Sequence, residues 1–186
     1  MMKNLFKFIC TIPLFILLVS CASDDEIADE LIDYYNNEWI PIHDAKESKM
    51  KTMKNTFMNL AINLEEGNEA DVKKESIEKY ETDVIPTVDK VIEQYESIQL
   101  NHRQVKKLNK KQIKVEKTER DYLESIIDYV NGDISVSKHR EMENQLKEVI
   151  HEVNDYLEKL MEKYNLEYDK TKERTGGFYE IKRKEE

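Results

Sequence analysis

Apolar residues recur at steps of three and four along most of the chain after residue 26, which is the spacing of a buried helix face. A first run covers residues 27–64 and a second covers residues 72–98. The most regular run comes last, with Met142, Leu146, Val149, Val153, Tyr156, Leu160 and Tyr164. Turn-forming residues at 65–68 and 131–133 separate neighbouring runs. The pattern therefore predicts consecutive antiparallel helices and no large sheet.

Residues 101–120 depart from this pattern, because eight Lys or Arg residues stand there against only two Glu. No Gly or Pro interrupts the segment, so one helix over residues 70–131 would fit, roughly 90 Å long. Such a helix would leave much of its apolar face unpaired. We therefore expect a bend or break near residues 101–113. The predicted fold class is all-α, an elongated antiparallel helical bundle after a lipoprotein signal peptide, with four helices, or three if the break is absent.

Two prolines interrupt the first and second runs in similar surroundings. Residues 35–44 align with residues 80–89 at a constant offset of 45 and share Tyr, an acid, Ile-Pro and Asp. A duplicated helix and a chance match both stay open. Proline removes an amide donor, so we expect a kink or a helix restart at Pro41 and Pro86. Trp39, beside Pro41, is the best single candidate for stacking a ligand, although packing in the core is the simpler interpretation of the aromatic residues.

The first 20 residues have the organisation of an export signal. Two lysines precede the apolar residues 8–18, and Leu18, Val19, Ser20 and Cys21 form a lipoprotein cleavage box. We expect cleavage between Ser20 and Cys21 and a diacylglyceryl group on the Cys21 thiol. The apolar run is shorter than the about 20 residues that a membrane-spanning helix needs. An uncleaved membrane helix and an ordinary secretory cut near Ala22 are the alternatives.

These assignments divide the chain into four parts. Residues 1–20 are the signal peptide, 21–26 a lipidated tether, 27–170 the helical bundle and 171–186 a charged C-terminal tail that frays. The predicted location is the extracytoplasmic face of the cell membrane. The two acyl chains on Cys21 suffice for stable anchoring.

Composition narrows the chemistry further. The chain has 186 residues, a formal net charge of −10 and only four Gly. The acidic balance disfavours nucleic acid as a partner, and we expect no cofactor, no metal and no catalytic residue. Glu148 and His151 form one Glu-x-x-His match, of which a di-iron bundle needs two. A metal-handling or enzymatic bundle is accordingly the alternative.

The basic segment supplies the candidate contact residues for an anionic surface. They are Lys106, Lys107, Lys110, Lys111, Lys114 and Lys117. Contact with anionic lipid headgroups, binding of an anionic wall polymer or protein, and a solvated helix face are three interpretations. Counting antiparallel helices outward from Cys21 places this segment at the membrane-proximal end and the turn at residues 131–133 at the distal end.

The cleavage box at residues 18–21 is followed by one helical domain rich in Glu, Lys and Tyr, as in residues 156–164, YLEKLMEKY. In this respect the chain resembles the small helical lipoproteins of Gram-positive bacteria, including the cell-wall-binding type. The resemblance implies an envelope role without known catalysis and carries over no binding residue. The leading hypothesis is a non-catalytic, lipid-anchored protein that binds an envelope partner, either a wall polymer or a protein. A structural spacer without a ligand is a further alternative.

Overall fold

A computed structural model describes residues 23–51, 69–174 and 176–185. Ser20, Cys21 and the turn predicted at residues 65–68 lie outside the described residues. The helical elements are α1 (Asp24–Asp33), the π-helical turn π1 (Tyr34–Trp39), α2 (residues 40–51), α3 (Glu69–Lys79), the π-helical turn π2 (Tyr80–Val84), α4 (Ile85–Ser97), α5 (Arg103–Asn131) and α6 (Val136–Lys163). They make four long helical segments, because π1 and π2 each join two α-helices. The predicted all-α class with four helices is confirmed, with a small β-hairpin added.

The first helix begins earlier than expected. The Ser23 hydroxyl accepts a hydrogen bond from the Glu26 amide at 3.2 Å, and the Glu26 carboxylate accepts one from the Ser23 amide at 3.0 Å. This is a capping box, and the acids of the first turn also interact favourably with the positive end of the helix. The tether predicted over residues 21–26 is therefore corrected, because residues 24–26 form the first helical turn.

Each interrupting proline follows a π-helical turn. The Ile40 amide bonds to the carbonyl of Tyr35, and the Ile85 amide bonds to the carbonyl of Tyr80, five residues back in both cases. This wider turn lies directly before Pro41 or Pro86, where a proline ring would clash with a regular α-helical turn. The helix therefore continues through both sites. The similarity of the two sequence stretches is matched by a similarity of local structure.

The expected break lies between α4 and α5, at residues 98–102, at the start of the predicted window. No local signal marks it, because the side chain that holds the backbone directly before α5 belongs to α1. The Glu30 carboxylate accepts hydrogen bonds from the backbone amides of Asn101, at 2.5 Å, and His102, at 2.8 Å. It also lies 2.8 Å from Nδ1 of His102. The carboxylate satisfies amides that have no partner within the helix.

The four segments alternate in direction. Tyr34 bonds to Asn109 and Lys46 bonds to Glu116, so contacts advance together along the first segment and α5, which run parallel. Successive contacts of α5 with α4 and with α6 run in the opposite order along the two helices, so both of these neighbours are antiparallel to α5. The main core lies between π1, α5, α6 and the hairpin. Within the described ranges no helix is long and apolar enough to cross a membrane.

The chain after α6 forms an ordered β-hairpin, with β1 (Leu166–Glu173) antiparallel to β2 (Tyr179–Arg183). Leu166 and Ile181 are buried in the main core. Asn36 of π1 clamps the outer edge of β2: its amide nitrogen donates to the Ile181 carbonyl at 2.9 Å, and its oxygen accepts from the Ile181 amide at 2.8 Å. The predicted frayed tail over residues 171–186 is therefore wrong for the hairpin, which is paired and packed.

Candidate functional site

Three polar side chains of α5 face the bundle interior. Gln112, Glu116 and Glu119 are spaced i, i+4, i+7, so they share one face of the helix. Glu116 is 0% exposed and Gln112 is also buried. A carboxylate in such a position is strongly destabilising unless it is paired and hydrogen-bonded. Its partners come from α5 itself and from α2.

Lys46 of α2 supplies the positive charge. Its Nζ lies 2.6 Å from Oε2 of Glu116 and also contacts Oε2 of Glu119. Lys46 is itself only 9% exposed. Gln112 donates to Oε1 of Glu116 at 2.8 Å and accepts from Nε1 of Trp39 at 3.1 Å. One ammonium group thus serves two carboxylates, and the cluster has a formal charge of −1.

Burial and charge act in opposite directions within this cluster. Burial opposes the charge on Lys46, but the carboxylates of Glu116 and Glu119 outweigh it and hold the pKa of Lys46 above its ordinary value. Burial raises the pKa of Glu116, Glu119 adds to the rise, and Lys46 and Gln112 counteract it. Lys46 therefore stays charged at neutral pH, whereas Glu116 holds its proton to a higher pH than a free carboxyl group does.

A ladder of rings runs along the first segment beside this cluster. Tyr35 and Trp39 are stacked with ring centres 4.9 Å apart, and His43 meets Trp39 edge to face at 3.9 Å. Phe178 of the hairpin stacks on His43 at 5.6 Å. Burial, assisted by the charge of Lys46, lowers the pKa of His43 to about 3. His43 is consequently neutral and adds no positive charge to the site.

The cluster and the ring ladder line a cleft of about 390 Å³ between α2, α5, α6 and the hairpin, within the size range of small-ligand sites. Its lining residues are Trp39, His43, Lys46, Glu47, Met50, Gln112, Val115, Glu116, Glu119, Ile150, Val153, Asn154 and Phe178. Ile150 is 40% exposed, as are several other large apolar side chains among the described residues. The cleft thus combines apolar walls with three carboxylates and one ammonium group.

The tip of the hairpin forms one wall of the cleft. The Gly176 amide donates to Oδ1 of Asp44 at 2.8 Å, and Phe178 packs edge to face on Trp39 at 5.0 Å. A Cβ at Gly176 would lie 2.5 Å from Asp44 Oδ1 and 2.9 Å from the Phe178 ring. A larger residue at position 176 would therefore displace the Asp44 carboxylate or the Phe178 ring.

Three of the six predicted contact lysines are engaged in ion pairs within the bundle. Lys111 and Lys114 both approach the Glu152 carboxylate, at 3.0 and 3.6 Å. Lys117 lies 2.7 Å from the carboxylate of Glu96. Their charges are partly neutralised by α6 and α4, so they are weaker candidates for an external anion.

The other three predicted lysines lie nearer the start of α5. Lys107 places its ammonium 4.9 Å from the ring centre of Tyr156. Lys106 and Lys110 are exposed, and neither forms an ion pair with any residue that the structure describes. The basic segment begins beside Glu30 in the second half of α1, and Lys117 lies about 16 Å further along α5 than Lys106. The segment therefore runs up one flank of the bundle instead of forming a compact patch at its base.

Trp39 is less suited to ligand stacking than its sequence position indicates. Tyr35 covers one face of the indole, His43 and Phe178 crowd it edge to face, and Nε1 is bonded to Gln112. The indole contributes to the wall of the cleft and does not present a free face. Its environment nevertheless makes it a reporter of the cleft, because it is the single Trp of the chain.

Glu148 and His151 lie on the outer surface of α6. The His151 side chain is 79% exposed, and its carboxylate neighbour is Asp155 at 3.6 Å. In the described part of the chain no group of three or more His, Cys, Asp or Glu side chains is placed to hold a metal ion.

Sequence reasoning missed the Lys46 cluster, although one signal was present. Gln112, Glu116 and Glu119 fall on the same helical spacing as the apolar residues of α5, such as Val105 and Leu108. Polar residues on a core face require partners. Their partner lies 70 residues away in sequence, and only the fold brings the two together.

No protein-family model, curated protein or solved structure matches the chain.

Proposed function

We propose that the chain is a non-catalytic, lipid-anchored extracytoplasmic protein that binds an envelope partner in the cleft between α2, α5, α6 and the hairpin. The observation that carries the proposal is the buried ion pair of Lys46 and Glu116 at the edge of an open cavity. Stability alone does not explain such a pair, because well-packed apolar residues are often equally stabilising or better. Its place at the edge of a cavity supports a role in recognition.

The state of the charged groups supports binding over catalysis. Both carboxylate oxygens of Glu116 are engaged, one by Lys46 and one by Gln112. The Lys46 ammonium is shared between two carboxylates and stays protonated. A general base or a nucleophile needs a free lone pair within reach of its substrate. These groups instead form a fixed electrostatic pattern.

The height of the cleft above the membrane supports a partner that lies outside the layer of lipid headgroups. Helix α1 starts at Asp24, so a lipid on Cys21 would hold the base of the bundle close to the membrane. Arg183 ties the hairpin to that base through Asp25 and Asp29, at 2.7 and 2.8 Å. In an upright bundle, His43 would lie about 30 Å above Asp24. The headgroup layer is only about 5 to 8 Å deep, so the cleft would face the space that the wall polymer occupies.

Co-sedimentation with purified cell-wall sacculi tests the proposal. The full-length protein in detergent should sediment with sacculi, and Glu119→Gln should bind several-fold more weakly because it removes a cleft carboxylate that is only 20% exposed. The matched control is Glu141→Gln, on α6 away from the cleft, which should bind as the wild type does. Protein that stays in the supernatant at low and moderate salt would contradict wall binding and favour a spacer.

Lys106 and Lys110 support a second contact, with anionic lipid headgroups. With Arg103 they are spaced i, i+3, i+7, so all three share one face at the end of α5 that lies beside Glu30. Each such charge near an anionic surface contributes about 1 kcal/mol.

Binding to phosphatidylglycerol vesicles tests this contact in an unlipidated form that starts at residue 22. Replacing Lys106 and Lys110 with Gln should lower its affinity for the vesicles about tenfold or more. Replacing Lys111 and Lys114 should have a smaller effect, and equal effects would contradict this assignment.

A further inference from the structure

Phe178 stands between two cavities. The cleft described above lies on one side, and a cavity of about 280 Å³ lies on the other, towards Tyr35 and Tyr168. Both are lined by Trp39, Val153, Asn154 and Phe178. The two cavities therefore adjoin along α6, with Phe178 in the wall of both, and together they are called the groove.

The groove is negatively charged. Glu47, Glu116 and Glu119 line the cleft, and Glu158 lines the smaller cavity. The positive charge on the same walls is that of Lys46, and it is already shared between Glu116 and Glu119. Glu119 keeps part of its surface accessible from the cleft, and Glu47 is exposed at its rim. A cationic ligand would find uncompensated carboxylates here, and an anionic one would be repelled.

The walls favour an aliphatic ligand over an aromatic one. Met50, Ile150 and Val153 line the cleft, and Ile150 is 40% exposed. The indole of Trp39 has one face covered by Tyr35, so it offers no free stacking surface. Lys46 itself shows which group these carboxylates accept, since a primary ammonium on a methylene stem already lies between them.

We propose that this groove binds an aliphatic primary ammonium group, such as a lysine-like side chain of the envelope partner. The ammonium would lie against the carboxylates of Glu119 and Glu47, and its methylene stem against Met50 and Ile150. The inference rests on the proposed function and names the chemistry that the cleft recognises.

Titration with n-pentylamine tests the inference on the full-length protein in detergent. Calorimetry and the emission of Trp39 are the two readouts, with pentan-1-ol and pentanoate as controls of similar size. Only the amine should give a saturable response, and Glu119→Gln should weaken it about tenfold. Glu141→Gln should leave it unchanged. An equal response to the alcohol, or no saturable response to the amine in either readout, would overturn the inference.

Chemical rescue provides a second, independent test. Lys46→Ala removes the atoms of one n-propylamine molecule and leaves the carboxylates of Glu116 and Glu119 without their cation. Adding n-propylamine should raise the melting temperature of Lys46→Ala more than that of the wild type, and propan-1-ol should not. If the variant does not fold alone, the yield of refolded protein with the amine and with the alcohol gives the same comparison. Equal effects of both additives would contradict the ammonium site.

The ammonium site and the binding of a wall partner can fail separately. If the amine gives no response but Glu119→Gln still weakens sedimentation with sacculi, the cleft binds a wall partner through other chemistry. If the amine binds and sacculi do not, the ammonium site stands and the wall partner is wrong.

Discussion

The ammonium of Lys46 lies 2.6 Å from the carboxylate of Glu116, at a place from which solvent is almost excluded. The pair joins α2 to α5, two helices that run in the same direction and are not consecutive in the chain. Charges in such a place are tolerated only with good geometry and further hydrogen bonds. Gln112 and Glu119 supply these bonds, so the four side chains act as one unit.

Breaking this pair should be strongly destabilising. Lys46→Met leaves the Glu116 carboxylate buried without its cation, and we expect the free energy of unfolding to fall by about 3 to 5 kcal/mol. Urea denaturation monitored by circular dichroism measures it. Lys147→Met, which removes an exposed pair with Glu143, is the control and should change stability little. The additional change Glu116→Leu should restore most of the loss, and a single variant as stable as the control would contradict the account.

Stability should decrease on acidification because His43 is buried in its neutral form. Its pKa is about 3 in the folded protein and 6.5 when exposed, so the unfolded chain binds the proton first between these values. Stability is therefore lost as the pH falls from 6.5, by about 2 kcal/mol at pH 5. Unfolding measured at pH 7, 6 and 5 should show this slope.

The variant His43→Leu isolates this contribution. The charged side chains beside His43 are Lys46 and Glu116. Because the pKa of Glu116 is raised in the folded protein, protonation of Glu116 increases stability as the pH falls, which opposes the effect of His43. The dependence of stability on pH should disappear in His43→Leu. It should remain in His151→Gln, which replaces an exposed histidine, and this difference assigns the dependence to His43. A wild-type slope retained in His43→Leu would refute the assignment.

Asn36 should decide whether the hairpin stays on the bundle. Asn36→Ala removes both hydrogen bonds to Ile181 and leaves a buried backbone amide and carbonyl without partners, which should cost about 2 to 3 kcal/mol. Hydrogen exchange at the Ile181 amide should become faster. The neighbouring variant Asn37→Ala, which loses only a local bond to Asp33, is the matched control. Unchanged exchange at Ile181 would show that the clamp is not needed.

Glu30 should fix the start of α5. Glu30→Ala removes the carboxylate that caps the amides of Asn101 and His102, and we expect a loss of about 1 to 2 kcal/mol, as for other helix caps. Amide exchange should accelerate at Asn101 and His102, directly before α5. Glu38→Ala, on the exposed side of π1, serves as the control and should leave these two amides protected.

The helices were predictable because their signals are local. Apolar spacing and the turn at Gly132 suffice to recognise α5 and α6 and their antiparallel packing. The break before α5 was located only approximately, because its cap is Glu30, some 70 residues away in sequence. A local pattern cannot show where a distant carboxylate will meet the chain.

Contacts between residues far apart in sequence also explain why the hairpin and the cleft could not be predicted. The strands carry many charged residues, and their burial rests on Leu166 and Ile181 together with the clamp from Asn36. The polar residues on the core face of α5 indicate that a partner exists, but nothing local identifies Lys46. The six lysines of the basic segment were visible in sequence, whereas the ion pairs that neutralise half of them were not.

Emission from Trp39 during titration with solubilised wall fragments tests the central claim most directly, because this residue lines the cleft and is the single Trp of the chain. If the cleft is the binding site, the emission changes saturably in the wild type and in Glu141→Gln, and the change is weakened in Glu119→Gln. Sedimentation of the wild type and of Glu119→Gln equally well with sacculi, while the solubilised fragments leave the Trp39 emission constant, would contradict the claim.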